Sequence, residues 1–404
     1  MNKLLSKRFF TSAKSIVIVN GKRTPIGSFM GKLSGIHASS LGSAAIEGAI
    51  QAAKINKEEV EEVIMGNVIS SGLGQAPARQ AAIKAGLLPS TVCTTINKVC
   101  SSGMKAVHFA AQSIITESSK IAIAGGMESM SLVPHYIYIR KAVPWGEPHL
   151  TDGIMFDGLT DSFNSVLMGN CAEKTHKELK ITRKEQDDWC IQSYERVIAA
   201  YKAQLIQKEL VELVAETGKK GQTETISQDE EFQRFLKDKI PTLRPVFEKD
   251  GTVTAANASK NADGACALVL SSEEHAQSRG LNAIARIRGF ADAEVDPMDF
   301  SIAPTSAIQK LLKKLNMNIK DVDYFEINEA FSGTVLSNMK LLNLSGDKVN
   351  VHGGAVALGH PIGASGARII LSLINVLQSR KSKIGIAAIC NGGGGASAIC
   401  IERI

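Results

Sequence analysis

Two cysteines 290 residues apart, Cys100 in NKVCSSGMKA and Cys390 in CNGGGGASA, each interrupt a run of small, glycine-rich residues. A thiol attacks as thiolate, and with an ordinary pKa of about 8.5 only a few per cent of it is ionised at neutral pH, so a neighbour has to take the proton. His360, in GHPIGASG, is the candidate base, because an imidazole titrates close to neutrality. Asn328, in NEAF, carries an amide that can donate to a developing oxyanion, directly or through water. Taken one at a time each has a plainer reading: a buried thiol at a strand end, a turn histidine bonded to backbone, a strand-capping asparagine.

The elements that must position these groups are short. A β-prone run from Val92 to Val99 leads into Cys100, and a helix begins near Ser101; free N–H groups and the positive end of the helix dipole there predict a lowered thiol pKa. His360 is held between Gly359 and Pro361, with a helix following from Ala364 to Leu377. The glycines at 392 to 395 do not form a dinucleotide-binding loop. That motif needs a following helix and an acidic residue about 20 positions on, and only nine residues remain. No GxxxxGK[ST] occurs either. Exposed backbone N–H groups beside Cys390, forming an anion hole, are the better use of these glycines.

Two distant segments repeat one logic. KEEVEEVIMGNVI (Lys57 to Ile69) and NIKDVDYFEINEAF (Asn318 to Phe331) each place a polar helix end before a short apolar strand that stops at an asparagine. Asn67 precedes Cys100 by 33 residues, and Asn328 precedes His360 by 32. IAIAGGMESMS and IGIAAICNGGGGAS form a second pair, apolar strands that break at glycines. The chain reads as a duplicated α/β unit with parallel sheets covered by helices, Leu41 to Ala53 among them. Between the halves, Leu132 to Gly251 turns charged, aromatic and proline-containing, an inserted lid, after which GTVTAANASKNADGACALVL returns to complete the first sheet.

The 404 residues, 44% apolar and 21% charged, are ordinary for a protein with two or three buried cores, and no apolar run approaches the ~18 residues of a membrane span. Seven cysteines without a CxxC pair argue against a disulfide framework, a zinc site or a dithiol centre. Residues 1–13, MNKLLSKRFFTSA, are basic, acid-free and amphipathic as a helix, the pattern of a mitochondrial transit peptide. Removing them takes the formal net charge from +6 to +3, and no basic stripe points to nucleic acid.

NKVCSSGMKA, NEAF, GHPIGASGAR and CNGGGGASA in that order, with GNVISSGLGQAPARQAA, GGMESMS, DGLTD and VTAANAS between and before them, resemble the thiolase family from about Ser15 to the C-terminus, in the form of its acetoacetyl-CoA thiolases. The resemblance implies duplicated βαβαβαββ halves in a five-layered αβαβα core. The N-terminal domain would comprise 14–131 with 252–280, the inserted CoA-binding lid 132–251 and the C-terminal domain 281–404. It implies that Cys100 takes an acetyl group from acetyl-CoA, that His360 accepts its proton, and that Cys390 deprotonates the second acetyl-CoA; a 3-ketoacyl-CoA thiolase of broader chain length is the alternative. One oxyanion hole is implied at His360 with a water on Asn328, the other at the backbone N–H groups of Cys100 and Gly392. Coenzyme A contacts carry over to Tyr194, Arg234, Lys239, Ser259 and Met168. A potassium ion carries over to Tyr194, Ala255, Ala256, Ala258 and Val356, four of them through backbone carbonyls. A homotetramer in the mitochondrial matrix, without nucleic acid or membrane partners, is implied as well. The chain departs from the family pattern at Leu167, where a histidine is usual, at Phe300-Ser301 in place of Phe-Pro, and at Arg234-Phe235-Leu236 in place of Arg-Val-Asp. These departures bear on chain length and CoA affinity.

Overall fold

The structure is a computed structural model that describes residues 14–140, 145–147, 149–216 and 222–404. The transit-peptide segment 1–13 lies outside the described residues. The first half runs β1 (Ile16–Arg23), β2 (Gly27–Ser28), α1 (Ala38–Ala53), β3 (Glu62–Gly66), α2 (Pro77–Lys84), β4 (Val92–Ile96), α3 (Ser102–Ile115) and β5 (Ile121–Ser129). An insertion carrying α4 (Met168–Glu178) and α5 (Arg183–Lys202) follows, and β6 (Ala262–Ser272) returns to the first half. The second half contains β7 (Ala285–Glu294), α6 (Ala303–Leu315), β8 (Tyr324–Ile327), α7 (Ser332–Leu342), α8 (Ala355–Leu358), α9 (Ser365–Ser379), β9 (Ile384–Asn391) and β10 (Gly395–Arg403).

Duplication is visible down to the turns. Lys57–Glu59 and Ile319–Asp321 are single 3-10 turns, each closed by a capping box: Glu59 accepts from the Asn56 N–H at 2.9 Å, Asp321 from the Asn318 N–H at 2.7 Å. Each feeds a short strand, β3 or β8, that ends just before Asn67 or Asn328.

The strands form one path, β8-β9-β10-β7-β1-β6-β5-β3-β4, with β2 beside β6. Here the expectation of parallel sheets is corrected. Only the outer pairs, β3 with β4 and β5, and β8 with β9, are parallel; every pairing from β5 through β6, β1, β7 and β10 to β9 is antiparallel. Local connectivity is the reason. β9 and β10 are joined by a tight turn in which Gly393 and Gly394 hold φ of 83° and 85°, and such a hairpin can only reverse the chain.

Alternation along the strands separates three apolar cores. On β6, Leu268 and Leu270 face inward with Ile389, Ile399 and Ile401 of the other half, whereas Ala265, Ala267 and Val269 face α1 and α2. On β9 and β10, Ile386, Ala388 and Ala398 face α6 and α7. The inner core holds α3 and α9, giving the order helices, strands, helices, strands, helices. SGARIILSLINVLQS of α9 is apolar nearly all round and is buried from Ser365 to Leu377, as a helix between two sheets must be. The two central helices cross on glycine: a Cβ on Gly103 would come within 2.9 Å of the Ala367 nitrogen, and one on Gly366 would collide with the Met104 nitrogen.

Candidate active site

Cys100 stands just ahead of α3; Ser101 takes the N-cap position, and its hydroxyl donates to Asn391 Oδ1 at 2.8 Å instead of capping the helix. The chain reaches it through a strained residue: Val99 has φ of 46°, a left-handed conformation that a β-branched side chain avoids. Neighbouring polar groups hold the kink. Asn97 Oδ1 accepts from the Val99 N–H at 2.8 Å; Ser102 Oγ donates to the Val99 carbonyl at 2.6 Å and accepts from the Lys98 N–H at 2.8 Å. The result aims the sulfur into a cavity of about 290 Å³ walled by both halves and the insertion, whose lining includes Cys100, His360, Gly392, Phe247, Phe300 and Phe331.

His360 is oriented by two bonds. Its backbone N–H donates to the Lys260 carbonyl at 2.8 Å, and its Nδ1 lies 2.6 Å from Ser365 Oγ. The Ser365 hydroxyl has one proton; directed at the Pro361 carbonyl 3.1 Å away, it leaves the oxygen to accept from Nδ1, and on that assignment of the tautomer Nε2 is the base. Asn328 Nδ2 sits 3.5 Å from that Nε2, its own Oδ1 facing Arg368 at 3.4 Å. Ser365 was missed in the sequence, where it reads as a helix-start serine; it sits at the first residue of α9 and its partner is five residues back. Ser365→Ala should lower the rate of Cys100 acylation about tenfold or more by freeing the tautomer. Burst kinetics read this, and a change below about twofold would remove Ser365 from the site.

Two expectations about protonation are corrected. Burial pushes the Cys100 thiol up to about 11, although the N–H groups of Gly392 and of Cys100 itself pull the other way. Burial, helped by the Arg368 charge, draws His360 down to about 3. A helix N-terminus lowers a thiol's pKa while water remains; here the opposite half covers the sulfur, and desolvation wins. Resting Cys100 and His360 are therefore neutral, and the proton moves as the sulfur attacks. Alkylation of Cys100 by iodoacetamide should consequently accelerate about tenfold per pH unit between pH 7 and 9, following the thiolate fraction. A plateau already reached at neutral pH would mean a preformed ion pair.

Cys390, at the end of β9, is buried with Phe300, Phe331 and Cys171, and its thiol is pushed far up by burial and then by the Cys100 sulfur. The two sulfurs thus share one site. Gly392 directs its N–H at Cys100, so the glycine run serves the first cysteine as well as the hairpin. A second group absent from the sequence reading is Glu128, buried, whose carboxylate accepts from the N–H groups of Val68 (3.0 Å), Ile69 (3.3 Å) and Gly363 (2.9 Å) and from Asn67 Nδ2 (2.8 Å). It ties the first repeat to the turn that carries His360. Burial pushes its carboxyl up to about 7.

The remaining predicted residues divide. Met168 and Ser259 line the cavity, as do Leu167 and Phe300 at the positions that depart from the family pattern; Ser301 is buried behind. Tyr194, Arg234 and Lys239 are not among the lining residues. Tyr194 is buried, stacked on Phe235 at 4.8 Å, its hydroxyl donating to Glu231 at 3.3 Å. Arg234 is exposed and paired with Glu230 at 2.8 Å, and Lys239 is exposed.

The potassium ligand set does not fit a metal ion here. The Lys260 ammonium donates to the carbonyls of Ala256 at 2.6 Å, Ala258 at 2.9 Å and Val356 at 3.2 Å, and lies 5.5 Å from the centre of the Tyr194 ring. Ala255 is exposed and its carbonyl takes no part in this set. Seven free cysteines agree with the absence of a disulfide framework, and among the described residues no helix is long and apolar enough to cross a membrane.

Residues 16–274 match the family model for the thiolase N-terminal domain, and residues 281–403 the model for the thiolase C-terminal domain. The chain is 51% identical over 391 residues to the mitochondrial acetyl-CoA acetyltransferase of Mus musculus, covering 96% of this chain and 91% of that one. It is 50% identical over 402 residues to a probable acetyl-CoA acetyltransferase of Dictyostelium discoideum, covering 98% and 97%. Among solved structures, Acat5 thiolase from Ascaris suum in complex with coenzyme A superposes with a TM-score of 0.92 at 44% identity, over 97% of this chain and all of that one. With the two domain models matched in succession over residues 16–274 and 281–403, and two cysteines, a histidine and an asparagine gathered from two repeats, the chain belongs to the thiolase family of acyltransferases.

Proposed function

We propose that the protein is an acetyl-CoA C-acetyltransferase that interconverts two acetyl-CoA with acetoacetyl-CoA and coenzyme A through an S-acetyl-cysteine. The observation that carries the reading is the placing of Cys100, with His360 Nε2 free as a base, in an aromatic-walled cavity of about 290 Å³. Names of relatives support the substrate, and the solved thiolase with bound coenzyme A supports the cofactor half of it.

In the forward direction the Cys100 sulfur attacks the thioester carbonyl of acetyl-CoA while its proton passes to His360 Nε2. The tetrahedral oxyanion takes hydrogen bonds from the N–H groups of Cys100 and Gly392. It collapses with departure of the CoA sulfur, which takes the Cys390 proton and leaves a thiolate opposite the imidazolium. Cys390 then removes a proton from the methyl of a second acetyl-CoA, whose enolate oxygen is held by protonated His360 and a water on Asn328. The enolate carbon attacks the acetyl group on Cys100, and the released sulfur recovers the proton from His360. Every proton is returned, and the alternation of half-reactions gives ping-pong kinetics.

Tyr194, Arg234, Lys239, Ser259 and Met168 are proposed as coenzyme A contacts, the first three serving the part of the coenzyme that extends beyond the cavity. The inserted segment 132–251 is proposed as the lid between domains 14–131 with 252–280 and 281–404. A homotetramer in the mitochondrial matrix is proposed from the family and from the basic segment 1–13; several animal relatives are named mitochondrial.

Chain length is the direct test. Thiolysis of a C4 ketoacyl-CoA should exceed that of a C10 substrate by about tenfold or more, because Phe247, Phe300 and Phe331 leave little room beyond a short acyl group. A preference for C10 would replace this reading by a 3-ketoacyl-CoA thiolase of broad range.

A further inference from the structure

We propose that Lys260 is a built-in monovalent cation, its ammonium standing where the family resemblance places potassium, so that this enzyme works without the ion. An ammonium has three donors, and three carbonyls converge on it at 2.6, 2.9 and 3.2 Å, from Ala256, Ala258 and Val356. A neutral amine would turn its lone pair toward one of those oxygens, so the cradle selects the charged form. The face of Tyr194 closes a further side, an aromatic surface that attracts a cation. Burial draws the lysine pKa down, and Cys190 and the carboxylates of Glu231 and Glu329 only partly oppose it, so the assignment rests on the three carbonyls. A potassium ion would need the same oxygens at similar distances. The two cations exclude one another.

The cradle is placed where a cation affects the site. Ala256 and Ala258 belong to the segment that supplies the cavity residues Ala258 and Ser259, and Val356 belongs to α8, which leads through Gly359 to His360. Lys260 also holds the histidine directly, its carbonyl accepting the His360 N–H at 2.8 Å. Glu329, next to Asn328, accepts the Val356 N–H at 3.0 Å on the other side of the same helix. One tethered charge thereby joins the cavity wall to the segment carrying the base. Lys260 is a positioning residue, since it touches neither reacting sulfur.

The inference rests on the thiolase reading for its kinetic consequence, and its test has an arm that does not. Thermal unfolding and acetoacetyl-CoA thiolysis are measured for the wild type, Lys260→Ala and Lys260→Met in potassium chloride, ammonium chloride and tetramethylammonium chloride at equal ionic strength. The wild type should be indifferent, with less than about 1 °C and less than about 1.5-fold in rate between salts. Lys260→Ala should lose about tenfold in kcat/KM in tetramethylammonium, mostly through KM, and regain most of it in potassium or ammonium with a rise of about 4 °C in melting temperature. Lys260→Met fills the slot without charge and should be impaired in every salt. Specific stabilisation or activation of the wild type by potassium overturns the proposal, as does a folded Lys260→Ala that ignores potassium in both readouts. The wild-type arm decides if the alanine variant fails to fold. Absence of thiolysis in all salts would remove the proposed activity, while the melting curves would still report the cation site.

Discussion

Cys100→Ala should abolish acylation outright: brief exposure of the wild type to acetyl-CoA without an acceptor leaves one acetyl group on the Cys100 peptide by mass spectrometry, and the variant carries none. Turnover should fall by about 10⁴-fold or more, because no other group at the cavity floor combines a nucleophile with the Gly392 N–H and the His360 base. Cys100 packs at the border of two apolar clusters and at the centre of neither, so loss of one sulfur atom should move the melting temperature little. An acetyl group trapped on another residue would overturn the assignment.

Cys390→Ala separates the two half-reactions. Cys100 should still become acetylated, whereas condensation and thiolysis fall by about 10³-fold for want of a group to move the methyl proton. The same substitution also removes the Cys390 proton donor, so acylation itself should slow, with free acid at lower pH partly replacing it. Rapid-quench measurement of acetyl-enzyme beside steady-state rates distinguishes the steps. Overall turnover within about threefold of wild type would show that Cys390 is a buried thiol and no more.

Much of the site was legible because its members sit at boundaries that sequence marks. A β-prone run before Cys100, Gly359 and Pro361 around His360, and an apolar strand ending before Asn328 all announce fixed backbone next to a reactive side chain; the last two occur as expected, whereas the first strand stops at Ile96, short of the expected Val99. The repeat of Asn67 and Asn328 was legible for the same reason, since both capping boxes are local. Properties that depend on what covers a residue were not. The left-handed Val99 looks like any strand valine, and the thiol and imidazole pKa values are governed by burial that exists only once the chain has folded. Glu128 and Lys260 belong to the same class: GGMESMS lies in a strand that breaks at glycines and NASKNADG in the return to the first sheet, and only folding brings Gly363 to the first and Val356 to the second.

The crossing of α3 and α9 shows what fusing two copies into one polypeptide makes available. In a pair of identical subunits around a twofold axis, any substitution is made twice, so neither side can acquire a residue the other lacks. Here the repeats still match where geometry leaves no alternative, with Gly103 and Gly366 facing each other's backbones. A few residues upstream, the obligation ends: one copy offers sulfur and the other imidazole. Likeness has persisted at the point of contact, and the freedom to differ has been spent on the chemistry beside it.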